Sequence, residues 1–331
     1  MHAAGLGLTT GDPAAIHSDV ETKWGYSYIS LTLIAWTASN VLIQEAVSPS
    51  YTKMIAVSVL GNLPSLCLTL LYLKEVPPHF RQYVAFAFPM AIIALVSSVT
   101  FNKSLQYTLQ STTNVVGSTT VVFTLFFELI LLNESFSTLP FVAGITSLIG
   151  CAIVANDIPV ASPISPNQVY HHDLGIFLAL VSAVSSALFS VLIRVYNIKD
   201  TMLFQPCMAA VTVGLSPLLL TGMDVMEIEK FSWPNGLILF WIMANGVLSL
   251  LSNFWQMRSI NILSPFVSNM FMSLSIPLSI MCDCFIRKIN VSWQFAIGTI
   301  IVVGSTIFVA GLPRKRREED LPESEPLTNQ Q

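Results

Sequence analysis

Leu174-Gly-Ile-Phe-Leu-Ala-Leu-Val-Ser-Ala-Val-Ser-Ser-Ala-Leu-Phe-Ser-Val-Leu-Ile193 runs without a charge from Asp173 to Arg194. A bilayer core about 30 Å thick needs some 20 apolar residues per helix, and this stretch supplies them. Nine other stretches read the same way, at approximately 26–44, 54–73, 83–101, 111–132, 138–156, 203–222, 236–257, 262–285 and 291–312. Between them stand Pro49, Pro77–Pro78, Asn133–Glu134, Pro159 to Pro166, Asn197 to Asp200, Asp224 to Lys230 and Arg287–Lys288. Glu128 and Asp283 are the two formal charges inside the spans. Backbone groups in lipid must pair internally, and barrel strands would alternate over about ten residues instead of running on like this. The expectation is an all-α integral membrane protein of ten transmembrane helices.

Composition agrees. The chain has 331 residues, 53% hydrophobic and 10% charged, with a mean hydropathy of +0.68, whereas soluble domains carry about 25% charged residues. High apolar content and a net charge of −4 exclude disorder. The 15 Lys and Arg are scattered and the pI is about 5.7, so nucleic acid is not an expected partner. Cys67, Cys151, Cys207, Cys282 and Cys284 have neither disulfide-framework nor zinc spacing and read as small hydrophobes. The segment before Gly25 lacks the basic and short apolar regions of a cleavable signal. Insertion is therefore expected to use the first transmembrane helix.

Orientation follows from basic loop residues. Lys23, Lys74, Arg81, Arg194, Lys199, Arg258 and Arg314-Lys-Arg-Arg317 lie on the side of the termini. Lys53, Lys103, Lys230, Arg287 and Lys288 lie on the other. Both termini are expected in the cytosol, and the Asn290-Val-Ser292 sequon, close to the membrane, is expected to be unoccupied. The longest loop divides the spans five and five, and an odd number per half inverts the second half relative to the first. A constant offset of 154 in the numbering sets Phe141, Gly144 and Gly150 on Phe295, Gly298 and Gly304, and Phe101-Asn102 on Trp255-Gln256. The expected organisation is a cytosolic tail (1–24), a five-helix repeat (25–156), a non-cytosolic linker (157–173), a second five-helix repeat (174–312) and an acidic cytosolic tail (313–331).

Polar groups inside a membrane are costly and mark candidate sites. Thr113, Gly117, Thr120 and Thr124 share one face of the fourth span, with Asn114 and Ser118 beside them. Ser268, Ser275 and Ser279 form a comparable stripe in the ninth. Such stripes either line a midplane cavity or hold helices together by close packing and hydrogen bonds. Asn102, Lys103 and Tyr107 before the fourth span, and Asn253 and Arg258 before the ninth, complete the candidate binding set. Lys103 and Arg258 occupy corresponding junctions of the two halves, at opposite mouths of a central pathway, where cations attract an anionic solute; otherwise they are headgroup charges. Glu128 and Asp283 are candidate coupling carboxylates, or groups that snorkel or pair with Lys or Arg. Pro277 removes the hydrogen bond to the Ser273 carbonyl and makes a hinge or a packing kink. Ala179, Ala183, Ser186 and Ser190 read as a packing face. All five histidines lie outside the spans, and no nucleophile elbow, phosphate loop or acidic cluster appears. Neither an enzyme nor a cofactor is expected.

Ser273-Leu-Ser-Ile-Pro277-Leu-Ser-Ile280, followed by Asp283, Lys288 and Ser292-Trp293, resembles the ninth-helix signature of the drug/metabolite transporter superfamily. More narrowly it is similar to the solute carrier 35 family, subgroup F, and its fungal thiamine-repressible relatives. Asn245-Gly-Val-Leu through Phe254-Trp255 resembles that subgroup's eighth helix. Ser104-Leu-Gln-Tyr107-Thr and Gly117-Ser-Thr-Thr-Val-Val-Phe123-Thr-Leu125 resemble its third and fourth. The likeness covers about residues 85–312. It implies two inverted five-helix repeats, cytosolic termini and alternating-access transport of a small polar metabolite across an intracellular membrane such as Golgi or vacuole/lysosome. Asn253 stands where the resemblance leads one to expect an acidic residue in the eighth helix. A nucleotide-sugar/nucleoside-monophosphate antiporter and a non-transporting scaffold or receptor are the alternatives, and a homodimer stays open.

Overall fold

The computed structural model describes residues 13–46, 53–72, 80–107, 110–133, 138–156, 172–198, 200–225, 232–278, 281–282 and 293–312. Among these the protein is helical throughout, with no strand. In chain order the helices are α1 (Pro13–Ala46), α2 (Met54–Leu60), α3 (Leu63–Tyr72), α4 (Phe80–Tyr107), α5 (Gln110–Ser118) and α6 (Thr120–Leu131). They continue with α7 (Thr138–Asn156), α8 (His172–Val195), α9 (Thr201–Val225), α10 (Gly236–Ile262), α11 (Pro265–Met272) and α12 (Trp293–Ala310). Six described stretches are helical, long and apolar enough to cross a bilayer: Tyr83–Ser104, Thr113–Leu131, Asp173–Val195, Thr201–Gly222, Gly236–Ile262 and Trp293–Ala310. Ala56–Cys67 and Thr138–Val154 are shorter apolar segments. The tails before Pro13 and after Leu312, the linker at 157–171, the sequon, Cys284 and Asp283 lie outside the described residues.

Many large apolar side chains are exposed while many hydroxyls and amides are buried, which is the order a lipid solvent favours. Ile34, Phe126, Phe177 and Ile300 are exposed, whereas Thr113, Thr124, Ser252, Ser259 and Ser268 are fully buried. Three expected spans are not continuous helices. The second turns at Gly61-Asn62, where the Asn62 amide reaches back to Val59 O at 3.1 Å, three residues away. In the fourth, the hydroxyls of Ser118 and Thr120 donate to Val115 O and Gly117 O at 2.6 and 2.7 Å. Such back-bonding bends helices, and the bend separates α5 from α6 at Thr119. The ninth bends at Ser273-Leu274. There Pro277 withholds its amide, and the Ser273 carbonyl instead accepts from Ile276 at 3.3 Å.

Helix ends have local causes. Pro265 occupies the first turn of α11, where an amide would be unpartnered anyway, and the Ser264 hydroxyl accepts from Val267 N at 3.1 Å. Asn197 takes φ 49° after α8, and the Ile198 amide donates to Ile193 O at 3.2 Å. This is a Schellman ending with asparagine in the left-handed position.

Three long pairings organise the packing: α1 along α10, α4 along α8, and α7 along α12. The first two carry the same device. Thr32 and Ser252 exchange hydroxyl-to-carbonyl bonds at 3.5 and 3.4 Å. Ser97 and Ser182 do so at 3.2 and 2.9 Å. In α7 and α12, Gly150 and Gly298 let the backbones meet: a Cβ on Gly298 would lie 2.6 Å from Val154 and 2.8 Å from Gly150 O. Between helices in lipid, such close packing and hydrogen bonding replace the hydrophobic effect as the source of cohesion.

Helix boundaries recur along the chain. Tyr107, Gln110 and Thr138 bound α4, α5 and α7 as Ile262, Pro265 and Trp293 bound α10, α11 and α12, all three pairs at one constant offset. That offset is one position longer than the offset read from the glycines. Gly150 is tightly packed, whereas nothing lies within 4 Å of a Cβ on Gly304, so those two glycines do not share a role.

Candidate functional site

The polar core forms where α4–α5–α6 meets α10–α11. Within each unit a hydroxyl near the end of the long helix reaches into the short one: Ser104 donates to Thr113 at 3.2 Å, and Ser259 pairs with Ser268 at 2.9 Å. The partners in each pair are nine positions apart, and the two pairs stand at the same offset as the helix ends.

The units are joined to each other by α6 and α11. Thr124 and Glu128 sit one turn apart on the buried face of α6. The Asn269 amide donates to Thr124 Oγ1 at 2.7 Å, and the Phe266 backbone N–H donates to Glu128 Oε1 at 2.9 Å. Glu128 is only 3% exposed. Its carboxylate therefore supplies an acceptor to the first turn of α11, where helix amides lack partners and the dipole favours negative charge.

The remaining candidates fall into two groups. Asn102 is buried and donates its amide to Ser58 Oγ of α2. Thr113 accepts from Ser104, and Thr120 donates to Gly117 O and to Ala183 O of α8, the latter at 3.3 Å. In this conformation the fourth-span hydroxyls serve helix–helix contacts, the second of the two roles read from their spacing. Lys103, Tyr107, Asn114, Asn253, Arg258 and Ser275 are half-buried, and Pro277 is buried. Lys103 Nζ lies 5.9 Å from the Tyr107 ring centroid, and the Arg258 guanidinium carbon lies 5.7 Å from that of Phe254. Each cation thus rests on an aromatic face of its own helix. Asp283 lies outside the described residues.

Sequence reading missed Asn269, the Phe266 amide and the Ser97–Ser182 clasp. The first two carried a signal: Ser264-Pro265 is a helix-start pair, and it implied a new helix inside a span read as continuous. The clasp carried none, because a serine that donates to a neighbouring helix looks like one that donates to its own. On α8, Ala179, Ala183 and Ser190 are buried, in keeping with a packing face.

Comparison with known proteins follows the same lines. Residues 23–156 match the EamA-like transporter family. The chain is 28% identical over 240 residues to solute carrier family 35 member F5 of Bos taurus, covering 70% of this chain and 44% of that protein. It is 25% identical over 226 residues to the thiamine-repressible mitochondrial transport protein THI74 of Saccharomyces cerevisiae, covering 66% of this chain and 60% of that one. The chain thus spans about half the length of the curated relatives it matches. One solved crystal structure shares the fold with a TM-score of 0.65 at 15% identity, covering 88% of this chain and 96% of its own. The resemblance to drug/metabolite transporters drawn from the motifs holds, and the chain is similar to multi-pass membrane transporters.

Proposed function

We propose that this chain, whose residues 23–156 match the EamA-like transporter family, is a secondary transporter moving a small polar metabolite by alternating access. The single observation that carries the reading is the repeated architecture. Helix ends, a hydroxyl pair and a mid-span bend recur at a common offset, as expected of two five-helix repeats that enclose a pathway. Bent helices at membrane depth are tolerated where protein or a water-filled cavity surrounds them. The bends at Thr119 and Ser273-Leu274 would let one half rock against the other.

The solute is anionic in this reading, because Lys103 and Arg258 stand at equivalent junctions and would attract negative charge at either mouth. Asn102, Tyr107, Thr113, Asn114, Thr120, Thr124, Asn253 and Ser275 would line the path between them, with Glu128, Asp283 and Pro277 governing its opening. The membrane is intracellular, with both termini cytosolic.

Uptake into sealed vesicles holding the purified protein tests this. Accumulation of a phosphorylated metabolite or other small anion is expected, slowed severalfold by Lys103→Ala or Arg258→Ala while a cationic solute is unaffected. No uptake of any anionic, neutral or cationic metabolite would overturn the transport reading. Equal slowing of anions and cations would overturn the role of the two basic residues.

A further inference from the structure

We propose that Thr37, with Asn40 one turn further along α1, lines the solute path at its middle depth and hydrogen-bonds an uncharged group of the solute, a hydroxyl, carbonyl or amide. The inference rests on the transport reading above and deepens it: the solute is then a small anion that also carries such a group.

The other hydroxyls of α1 show what is unusual at Thr37. A serine or threonine inside a helix can return its hydroxyl to a carbonyl one turn back. Ser27, Ser30 and Thr32 do so, donating to Lys23 O, Tyr26 O and Tyr28 O at 3.0, 2.8 and 2.9 Å. Ser39 instead reaches Asn245 and Ser249 of α10. Thr37 does neither. Its side chain is 3% exposed, and its Oγ1 has no hydrogen-bond partner among the described residues. Asn40 is half-buried and makes no hydrogen bond to a described residue. Burying an unbonded hydroxyl is costly, and a polar group kept inside a membrane protein at that cost calls for a partner that the chain does not supply.

The position of Thr37 fits a solute contact. α1 and α10 run antiparallel, with Thr32 on Ser252 and Ser39 on Asn245 and Ser249. Thr37 lies between those two contacts, level with Ser249 at the middle of α10 (Gly236–Ile262). It does not share the face that meets α10, being about 140° round the helix from Thr32. It shares the face of Tyr26, three turns earlier. Tyr26 donates its hydroxyl to Ala310 O of α12 at 3.1 Å, and its ring centroid lies 5.4 Å from that of Phe271 of α11. Thr37 is thus carried on the side of α1 that turns toward α11, the helix whose Asn269 and Phe266 meet α6. Transporters built from inverted repeats bind their solutes near mid-membrane, between the repeats, and α1 and α11 come from different repeats. A hydroxyl and a carboxamide both donate and accept without carrying charge. They answer an uncharged part of the solute, and Lys103 and Arg258 answer its anionic part.

Single cysteines in the full-length protein, reconstituted in sealed vesicles with the five native cysteines replaced, test the placement. The probe is sulfonatoethyl methanethiosulfonate, a small anionic thiol reagent that does not cross lipid, and modification is read by mass spectrometry. Thr37→Cys is expected to react faster than Thr32→Cys by roughly tenfold or more, because a thiolate forms readily only where water reaches it. Thr37→Cys reacting no faster than Thr32→Cys would overturn the inference. Thr37→Val keeps the shape and removes the hydroxyl, so its unfolding midpoint is expected to equal or exceed that of the parent. A lower midpoint would reveal a bond made within the fold and overturn the inference as well. For an anion that accumulates in the uptake assay above, Thr37→Val is expected to slow entry roughly fivefold, the factor that loss of one hydrogen bond implies, with Thr37→Ser restoring it. Unchanged entry in Thr37→Val would leave water as the partner of this hydroxyl and overturn its contact with the solute. Labelling and unfolding use no solute, so failure of the transport reading and failure of this placement are distinguishable.

Discussion

Placing a methyl group on Gly246 is expected to destabilise the protein more than any other glycine-to-alanine change in α10 or α12. A Cβ there would lie 2.4 Å from the Gly61 carbonyl oxygen and 2.9 Å from Pro64 Cγ. Neither neighbour is the free end of a flexible side chain: one is backbone at the turn between α2 and α3, the other a ring inside the first turn of α3. The clash is relieved only if α10 and that turn move apart. Moving them disturbs the bonds that Asn245 and Ser249 make to Ser39 of α1. Overpacking of a filled interior costs typically 1–3 kcal/mol, and with a backbone obstacle Gly246→Ala is expected at about 3 kcal/mol. Gly304→Ala is the control, because nothing lies within 4 Å of its Cβ. There the helix gains about 0.5–1 kcal/mol from losing a glycine. Thermal unfolding midpoints in one detergent should move in opposite directions, and equal shifts would contradict the packing described for α10.

Glu128→Ala is expected to produce the second large loss. It strips the acceptor from the Phe266 amide in a place closed to water, and an unsatisfied buried donor costs about 1–3 kcal/mol. It also removes a neighbour of the Thr124–Asn269 bond one turn away. Glu128→Gln retains an oxygen that accepts from the same amide. It should therefore keep more than half of the stability that Glu128→Ala loses. The comparison separates a cap from a bare charge: if Gln were as damaging to the unfolding midpoint as Ala, the acceptor role assigned to Glu128 would be wrong.

Span positions were legible because hydropathy reports which backbone can lie in lipid. Leu174–Ile193 falls inside α8, and Trp293 to Ala310 inside the last expected span. Bends were not legible from hydropathy. Ser118, Thr119 and Thr120 are as compatible with a straight helix as with a bent one until their hydroxyls are seen to return to carbonyls three residues back. The inward direction of Thr113 and Thr124 could be read from their spacing, but their partners could not. Thr124 bonds to a residue 145 positions away, and no local pattern encodes that distance. Glu128 stood out as a lone carboxylate in an apolar span, yet its acceptor role depends on the Ser264-Pro265 helix start in the other half. Helix ends and a hydroxyl pair recur at an offset one position longer than the one read from Phe101-Asn102, Phe141 and the glycines.

Sidedness tests the central claim most directly, since two halves of opposite insertion put equivalent residues on opposite faces of the membrane. Single cysteines at Lys103 and at Arg258, in protein otherwise free of cysteine, can be labelled with a membrane-impermeant maleimide applied to one face of sealed, uniformly oriented vesicles. The account predicts that each cysteine reacts from one face and that the two faces are different. Reaction of both from the same face would contradict it.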